Sequence, residues 1–230
     1  GDGVARPVYY SATAHAAVVR QPTDGPLAPA PASQADGESL AADVLRVLSG
    51  VIKPFDASRR LISLGCGDGA VLDVLHARTG WRVHGVDPDA DRAAAARGKG
   101  YAVYESAVED AATAVPAVEP FDVVLVEPHA LAASADPLRL LRRARHLLTT
   151  GGVIVLAGAN LDAGGFAEQG RAWPAWDVAG TRYVLSPKAV RLLARDAQLE
   201  PVRVRTLTNG AVDRTGRGER FVAVLKYGGG

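Results

Sequence analysis

The sequence predicts an α/β protein built on a doubly wound, mostly parallel sheet with helices on both faces. Three observations carry this. Between residues 60 and 159, strand-length apolar runs alternate with segments of helical periodicity, the pattern of parallel strands joined by right-handed crossovers and buried on both faces. The first run passes through three glycines spaced two apart (RLISLGCGDGAVL, from residue 60) into a helical pattern, the strand–turn–helix unit at which such sheets bind ligands. The end of the chain breaks the rhythm: PVRVRTL and RFVAVLKY are separated only by the turn-rich TNGAVDRTGRGE and are expected to form an antiparallel hairpin.

Residues 1–38 read as an extended N-terminal segment. RQPTDGPLAPAPASQADGES (20–39) is Pro, Ala and polar residues, a linker composition. PVYYSATAHAAVVR before it carries Tyr9, Tyr10 and enough apolar residues to dock. From Ser39, Leu40, Val44, Leu45 and Leu48 follow helical spacing, with Pro54 beyond, so a single α/β domain is expected over 39–230. After the strand RLISL a helix is expected from Ala70 to Arg78. The strand WRVHGV leads to DADRAAAARG, whose alanines favour helix and whose Gly98 stops it. YAVYE leads to a short helical turn, FDVVLV to the helix of DPLRLLRRARHLL, and GGVIVLAGA is the fifth apolar run. Residues 160–186 show no clear periodicity, and SPKAVRLLARDAQ is the last helix.

The 230 residues suit one full α/β domain. A net charge of +1 provides no basic field to attract nucleic acid or anionic lipid. Arg139, Arg142, Arg143 and Arg145 spread round an ordinary helix without interleaved aromatics, so a solvated face is expected there rather than a nucleic-acid surface. No apolar run has the length of a membrane span, and no secretory pattern is present. The single cysteine permits no internal disulfide and suits a reducing cytoplasm. The chain lacks Met and begins with Gly, as expected if the initiator is lost or the chain is cut from something longer. Its Ala, Arg and Gly usage points to a GC-rich bacterial genome.

The glycine turn fits two ligands. As a dinucleotide fingerprint, Gly65, Gly67 and small Ala70 pass the loose pattern, with Asp87 at the next strand end to hold a ribose. Three features favour S-adenosylmethionine instead. Asp68 would oppose a pyrophosphate but tolerates an ammonium. The chain beyond Thr150 is too short for a second nucleotide half and a catalytic domain, and the terminal hairpin lies outside the dinucleotide pattern.

The motifs LISLGCGDGAVL, VHGVDPD, SAVED, FDVVLVEP and LLRRARHLLTTGGVIVLAGAN, in this order over residues 40–226, resemble those of class I S-adenosylmethionine-dependent methyltransferases. The closest likeness is to the small-molecule branch with the ubiquinone-pathway O-methyltransferases and natural-product enzymes. The resemblance implies seven strands in the order 3-2-1-4-5-7-6, the last antiparallel, and S-adenosyl-L-homocysteine as product. It implies that Gly65, Cys66 and Gly67 line the methionine end, that Asp87 binds the ribose hydroxyls, and that Pro88 and Asp89 flank the adenine. Val108 and Glu109 match the position that reads the adenine edge, Glu127 falls among the cofactor residues, and Tyr10, or Tyr9, is placed to close over the cofactor. Asp87 as a helix cap, Glu109 as a solvated carboxylate and the tyrosines as docking aromatics are the structural alternatives; Cys66 reads as a small residue in a tight turn.

Such chemistry requires chiefly that an acceptor be aligned with the methyl group, with a base where the acceptor is a hydroxyl. The acceptor, a small molecule, is expected beside the fourth and fifth strand ends, among EPHALAASADP, Asn160 and the 160–186 insertion with Phe166, Trp173, Trp176 and Tyr183. His129 is the candidate base and an acceptor contact, with His15 second; a loop histidine bonded to backbone is the alternative. His76, His84 and His146 are expected to be structural. The relatives' acidic residue–His pair ahead of the next helix is missing here, and no carboxylate cluster has metal-ligand spacing, so no metal is expected. Hydroxyl methylation is the leading reading. Amine, carbon or RNA-base acceptors, and a non-catalytic cofactor-binding module in a larger assembly, are the alternatives, and homodimer formation is left open.

Overall fold

The computed structural model describes residues 8–9, 17–18, 34–52, 56–116, 120–169, 173 and 181–227. Tyr10, His15 and Trp176 lie outside them. Val8–Tyr9 and Ala17–Val18 form a small antiparallel ladder of their own.

Helix α1 spans Gln34–Leu48, beginning ahead of the expected Ser39 and taking in residues that compose as linker. A close contact explains the extension. A Cβ on Gly37 would lie 2.9 Å from the Cβ of Ala70, so the first turn of α1 rests directly on the helix after the glycine turn. Tertiary packing here overrides a weak local preference.

The elements that follow are β1 (Arg60–Leu64), α2 (Ala70–Thr79), β2 (Arg82–Asp87), α3 (Ala90–Gly98) and β3 (Ala102–Glu105). A 3₁₀ turn (Val108–Asp110) then runs into α4 (Ala111–Ala114), β4 (Phe121–Val126), α5 (Pro128–Ala133), α6 (Pro137–Arg145) and β5 (Leu148–Ala159). The chain closes with α7 (Gly164–Gln169), α8 (Pro187–Asp196), β6 (Leu199–Thr208), β7 (Ala211–Asp213) and β8 (Arg220–Tyr227). The sheet order is β3-β2-β1-β4-β5-β8-β6-β7. Strands β1 to β5 pair in parallel, and β8 runs antiparallel to both β5 and β6. This is the expected order with an eighth strand added. Asn209 and Gly210, with φ of 49° and 76°, make a tight turn that folds β7 back on the end of β6, pairing Leu207 with Val212. The turn-rich connection expected between the last two strands thus carries a short strand of its own, signalled by Asn-Gly.

Alternate residues of each strand feed opposite cores. Leu61, Val123, Val153 and Val222 pack with α1, α2 and α3, whereas Ile62, Val124, Ile154 and Phe221 pack with α5, α6 and α8. Period-two alternation on a sheet buried on both faces makes most positions of its central strands apolar, which is why they read as near-continuous runs. The arginines of α6 serve this packing. Arg142 Nη2 donates to the Asp196 carbonyl at 3.0 Å and Arg145 Nη1 to Gln198 Oε1 at 2.9 Å, both at the C-terminal end of α8, and Arg139 pairs with Asp110 at 3.2 Å.

Helix α1 is pinned to the sheet by charge. Arg220 of β8 meets the Asp43 carboxylate at 2.8 Å, and Asp43 is only 2 % exposed at its side chain. Burial pushes the Asp43 carboxyl up, against the opposing pull of Arg220 and Arg46. Arg220→Met should lower stability at pH 7 by ~1–3 kcal/mol, because it strands a buried charge. With its partner gone, Asp43 holds its proton more tightly in the folded than in the unfolded chain. The loss should therefore grow as pH rises above the carboxylate range and shrink as pH falls into it. Urea unfolding at several pH values checks this; an equal loss at all of them would assign the effect to packing.

Candidate functional site

The turn between β1 and α2 depends on glycine. Gly65, Gly67 and Gly69 have φ of 80°, 56° and 86°, a region costly for residues with a Cβ. A Cβ on Gly65 would stand 2.6 Å from the Cβ of Ala130 and 2.9 Å from His129 Nε2, so the turn lies tight against α5. A Cβ on Gly67 would meet nothing within 4 Å, leaving that face of the turn open to a ligand. The Asp87 carboxylate, 1 % exposed, sets the geometry. Its Oδ2 accepts from the Gly67 N–H at 2.8 Å and its Oδ1 from the Asp89 N–H at 3.0 Å. Capping of α3 falls to Asp89, which accepts from the Asp91 and Arg92 N–H groups. Each Asp87 oxygen keeps further acceptor capacity, since a carboxylate offers about four lone-pair sites.

A cavity of about 180 Å³ opens over this turn, lined by Cys66, Gly67, Asp68, Arg92, Glu127 and His129 among others. Glu127, at the end of β4, is 3 % exposed and accepts from the Ser63 hydroxyl at 2.6 Å. Burial drives its carboxyl up to about 8; the Ser63 bond opposes this and the negative charges of Asp87 and Asp68 reinforce it. His129 sits in the first turn of α5, where a loop was expected. Burial lowers its pKa, with Arg92 adding to the fall while the Asp87 charge and the nearby Gly65 backbone oppose it. Its Nε2 is buried without a hydrogen-bond partner. Cys66 is structural: burial first, then the charges of Glu127 and Asp87, push its thiol well above the ordinary range. Its side chain packs on Gly85, where a Cβ would collide with the Cys66 sulfur.

The other expected site residues divide between the cavity edge and the fold. Pro88 joins Asp87 to the α3 cap, and Val108 is buried in the 3₁₀ turn. Glu109 Oε1 accepts from Ser134 Oγ at 2.7 Å and the Ala135 N–H at 3.1 Å, tying that turn to the link between α5 and α6. Tyr183 braces the same link, its hydroxyl donating to the Ala135 carbonyl at 3.1 Å. Asn160 is fully buried. Its amide nitrogen donates to the Gly216 and Gly218 carbonyls at 3.1 and 2.7 Å and its oxygen accepts from the Asp162 N–H, so the side chain expected at the acceptor serves the sheet edge. Trp173 packs with Ala163, Val184 and Phe166 in a small separate core. None of Asn160, Trp173 and Tyr183 lines the cavity. Of the other histidines, His76 Nδ1 lies 2.8 Å from the Trp81 carbonyl, His84 packs edge-on to Phe121, and His146 ends α6.

Sequence reasoning missed Ser63 and Arg92. Ser63 looks like one more strand residue, and its role appears only through its pairing across the sheet with Glu127. Arg92 was readable as the residue three after the Asp89 cap, facing back over the turn. A second, open groove of about 700 Å³, lined by Arg191, Arg205, Asp213 and Arg214 among others, draws on α8, β6 and the β7 hairpin, whose meeting no local pattern announces. Among the described residues, no group of His, Cys, Asp or Glu is arranged to hold a metal ion, and no helix is long and apolar enough to cross a membrane.

Sheet order, glycine turn and strand-end carboxylate together define a class I S-adenosylmethionine-dependent methyltransferase. The methyltransferase-domain family matches residues 33–204, and the chain belongs to it. Its structure is similar to the CcbJ methyltransferase of Streptomyces caelestis, with 20% identity over 90% of this chain and 94% of that one and a TM-score of 0.64. It is also similar to a possible histamine N-methyltransferase of Thermotoga maritima (18% identity, 82% and 89% of the chains, TM-score 0.60). A third likeness is to the plantazolicin methyltransferase BamL, solved with a triazolic desmethylPZN analog and SAH (12% identity, 86% of each chain, TM-score 0.62). A search of the curated proteins finds no match. The residues present fit the cofactor that the family implies: Gly67 is open toward the cavity it lines with Glu127 and His129, and Asp87, bonded to the Gly67 N–H, keeps spare acceptor sites beside it.

The two neighbouring glycines separate folding from binding. Gly67→Ala should cost only ~1–2 kcal/mol of stability, the penalty of a left-handed Cβ in open space, yet weaken S-adenosylhomocysteine binding at least ~tenfold. Gly65→Ala should lose more stability, because it displaces Ala130 and His129. Thermal unfolding and calorimetric titration of both variants check this, and the reverse order of stabilities would contradict it.

Proposed function

We propose that the protein transfers a methyl group from S-adenosylmethionine to the hydroxyl oxygen of a small-molecule acceptor. The observation that carries this reading is His129: a buried imidazole with an unpartnered Nε2, lining the same cavity as the glycine turn. The cofactor supplies, when bound, an activated methyl group on a sulfonium. The protein's own groups bind and align. The Cys66–Gly67 backbone borders the methionine end, and Asp87 turns its spare lone pairs to the ribose hydroxyls, each a charge-assisted bond worth ~1.5–3 kcal/mol. Pro88, Asp89, Val108 and Glu109 flank the adenine. Burial keeps His129 neutral near pH 7, and a neutral imidazole nitrogen can accept the acceptor's proton. In this reading the 160–186 segment covers the acceptor; among its described residues, Trp173 is held by a small core of its own and Asn160 is bridged to Leu185. The small-molecule assignment is supported by the likeness to BamL, whose structure holds a plantazolicin analog.

Calorimetric titration with S-adenosylhomocysteine and with NAD, followed by a transfer screen over alcohols, phenols and amines, tests the reading. Binding of S-adenosylhomocysteine but not NAD, with transfer to hydroxyl compounds, is expected. Transfer confined to amines would move the acceptor atom to nitrogen, and binding of NAD in its place would overturn the cofactor.

His129→Ala should lower kcat by ~10²–10⁴, the range for loss of a general base, with S-adenosylhomocysteine affinity changed by less than ~threefold. In the parent, kcat at saturating S-adenosylmethionine should fall on acidification through a pKa below the ordinary histidine value of 6.5, because burial disfavours the charged ring. Parental kcat in the variant would remove the base and leave alignment of the acceptor as the mechanism.

A further inference from the structure

Glu127 is a carboxyl group buried at the end of β4, in the cavity that the glycine turn covers. Among the described residues its one hydrogen-bond donor is the neutral Ser63 hydroxyl. The groups that face it from the surrounding elements are Ser63 on β1, Asp87 on β2, the Cys66 thiol and Asp68 on the turn, Arg92 on α3 and His129 on α5. A carboxylate so buried, beside two acidic neighbours and with one neutral donor, favours its protonated form. The family's ligand brings what this wall lacks, since the methionine end of S-adenosylmethionine carries an ammonium and a sulfonium.

We propose that Glu127 selects for positive charge in this cavity, holding a proton in the free protein and giving it up to solvent as a cationic methionine end enters. The inference rests on the cofactor site proposed above and adds a residue-level reason for its preference. The balance is simple: the neutral acid and the cationic ligand become a carboxylate–cation pair and one proton in bulk water, with no bond to carbon made or broken. The carboxyl's titration near 8 places the exchange where it is measurable at neutral pH. Binding that releases a proton strengthens as pH rises, so affinity should increase by up to ~tenfold per pH unit below that value and level off above it. Glutamine at this position keeps the shape and the Ser63 contact but has no proton to release.

The test is calorimetric titration of the parent and of Glu127→Gln with S-adenosylmethionine and with S-adenosylhomocysteine, between pH 6 and 7.5, in two buffers of different ionisation enthalpy. Protons exchanged by the ligand's own amine are common to both proteins and cancel in the difference. The parent should release close to one proton more per ligand than the variant, and the variant's affinity should lose the corresponding pH dependence. A difference seen with both ligands assigns the charge contact to the ammonium. One seen with S-adenosylmethionine alone assigns it to the sulfonium. Binding by both proteins with the same proton count overturns the role of Glu127 and leaves the cofactor site standing. If the variant fails to fold, a parent that binds without net proton release has the same force against the proposal. Failure of the folded parent to bind either ligand overturns the cofactor site itself, and this inference with it.

Discussion

The site depends on one hydrogen bond, from the Gly67 N–H to the Asp87 carboxylate. Gly67 is held in a left-handed conformation, and a free glycine turn would sample many others. The carboxylate at the end of β2 selects one. Through its second oxygen the same group fixes the start of the Asp89 cap, so the turn after β1 and the turn after β2 are set against each other. Parallel pairing of β1 and β2, in register from Arg60↔Arg82 to Leu64↔Val86, brings the two strand ends to the same edge and makes the bond possible. Sheet topology thus becomes turn geometry through a single buried acid.

Around this bond the fold places its other constraints close by. Helix α1 rests its Gly37 on Ala70, the first residue of the helix that follows the glycine turn, and the Asp43–Arg220 pair holds α1 to the far side of the sheet. On the opposite face, α5 presses Ala130 and His129 against Gly65. The turn is therefore clamped from both layers while Gly67 alone faces open space. Asp68 and Glu127 line the cavity together with Arg92, whereas Arg142 and Arg145 of α6 are spent at the end of α8.

Most of the sheet was legible in the sequence because burial on both faces writes strands as apolar runs, and because Gly65, Gly67 and Asp87 lie in two short consecutive motifs. What was not legible depends on contacts distant in sequence. The early start of α1 follows from Gly37 meeting Ala70, and the role of Ser63 follows from a partner sixty-four residues away. Helix α5 was hidden because six residues are too few to show periodicity. The bonding of Asn160 was hidden for a related reason: its amide is taken up by the carbonyls of a loop beyond β7. Strand β7, by contrast, had a readable signal in Asn209–Gly210.

The proposed site takes S-adenosylmethionine over Gly67 with Asp87 on its ribose. A crystal structure of the protein grown with S-adenosylhomocysteine tests it most directly. Both ribose hydroxyls are expected within ~3 Å of the Asp87 carboxylate oxygens, with the methionine end beside Gly67 and Glu127. A ligand bound elsewhere, or one lying over the turn with its ribose turned away from Asp87, would contradict it.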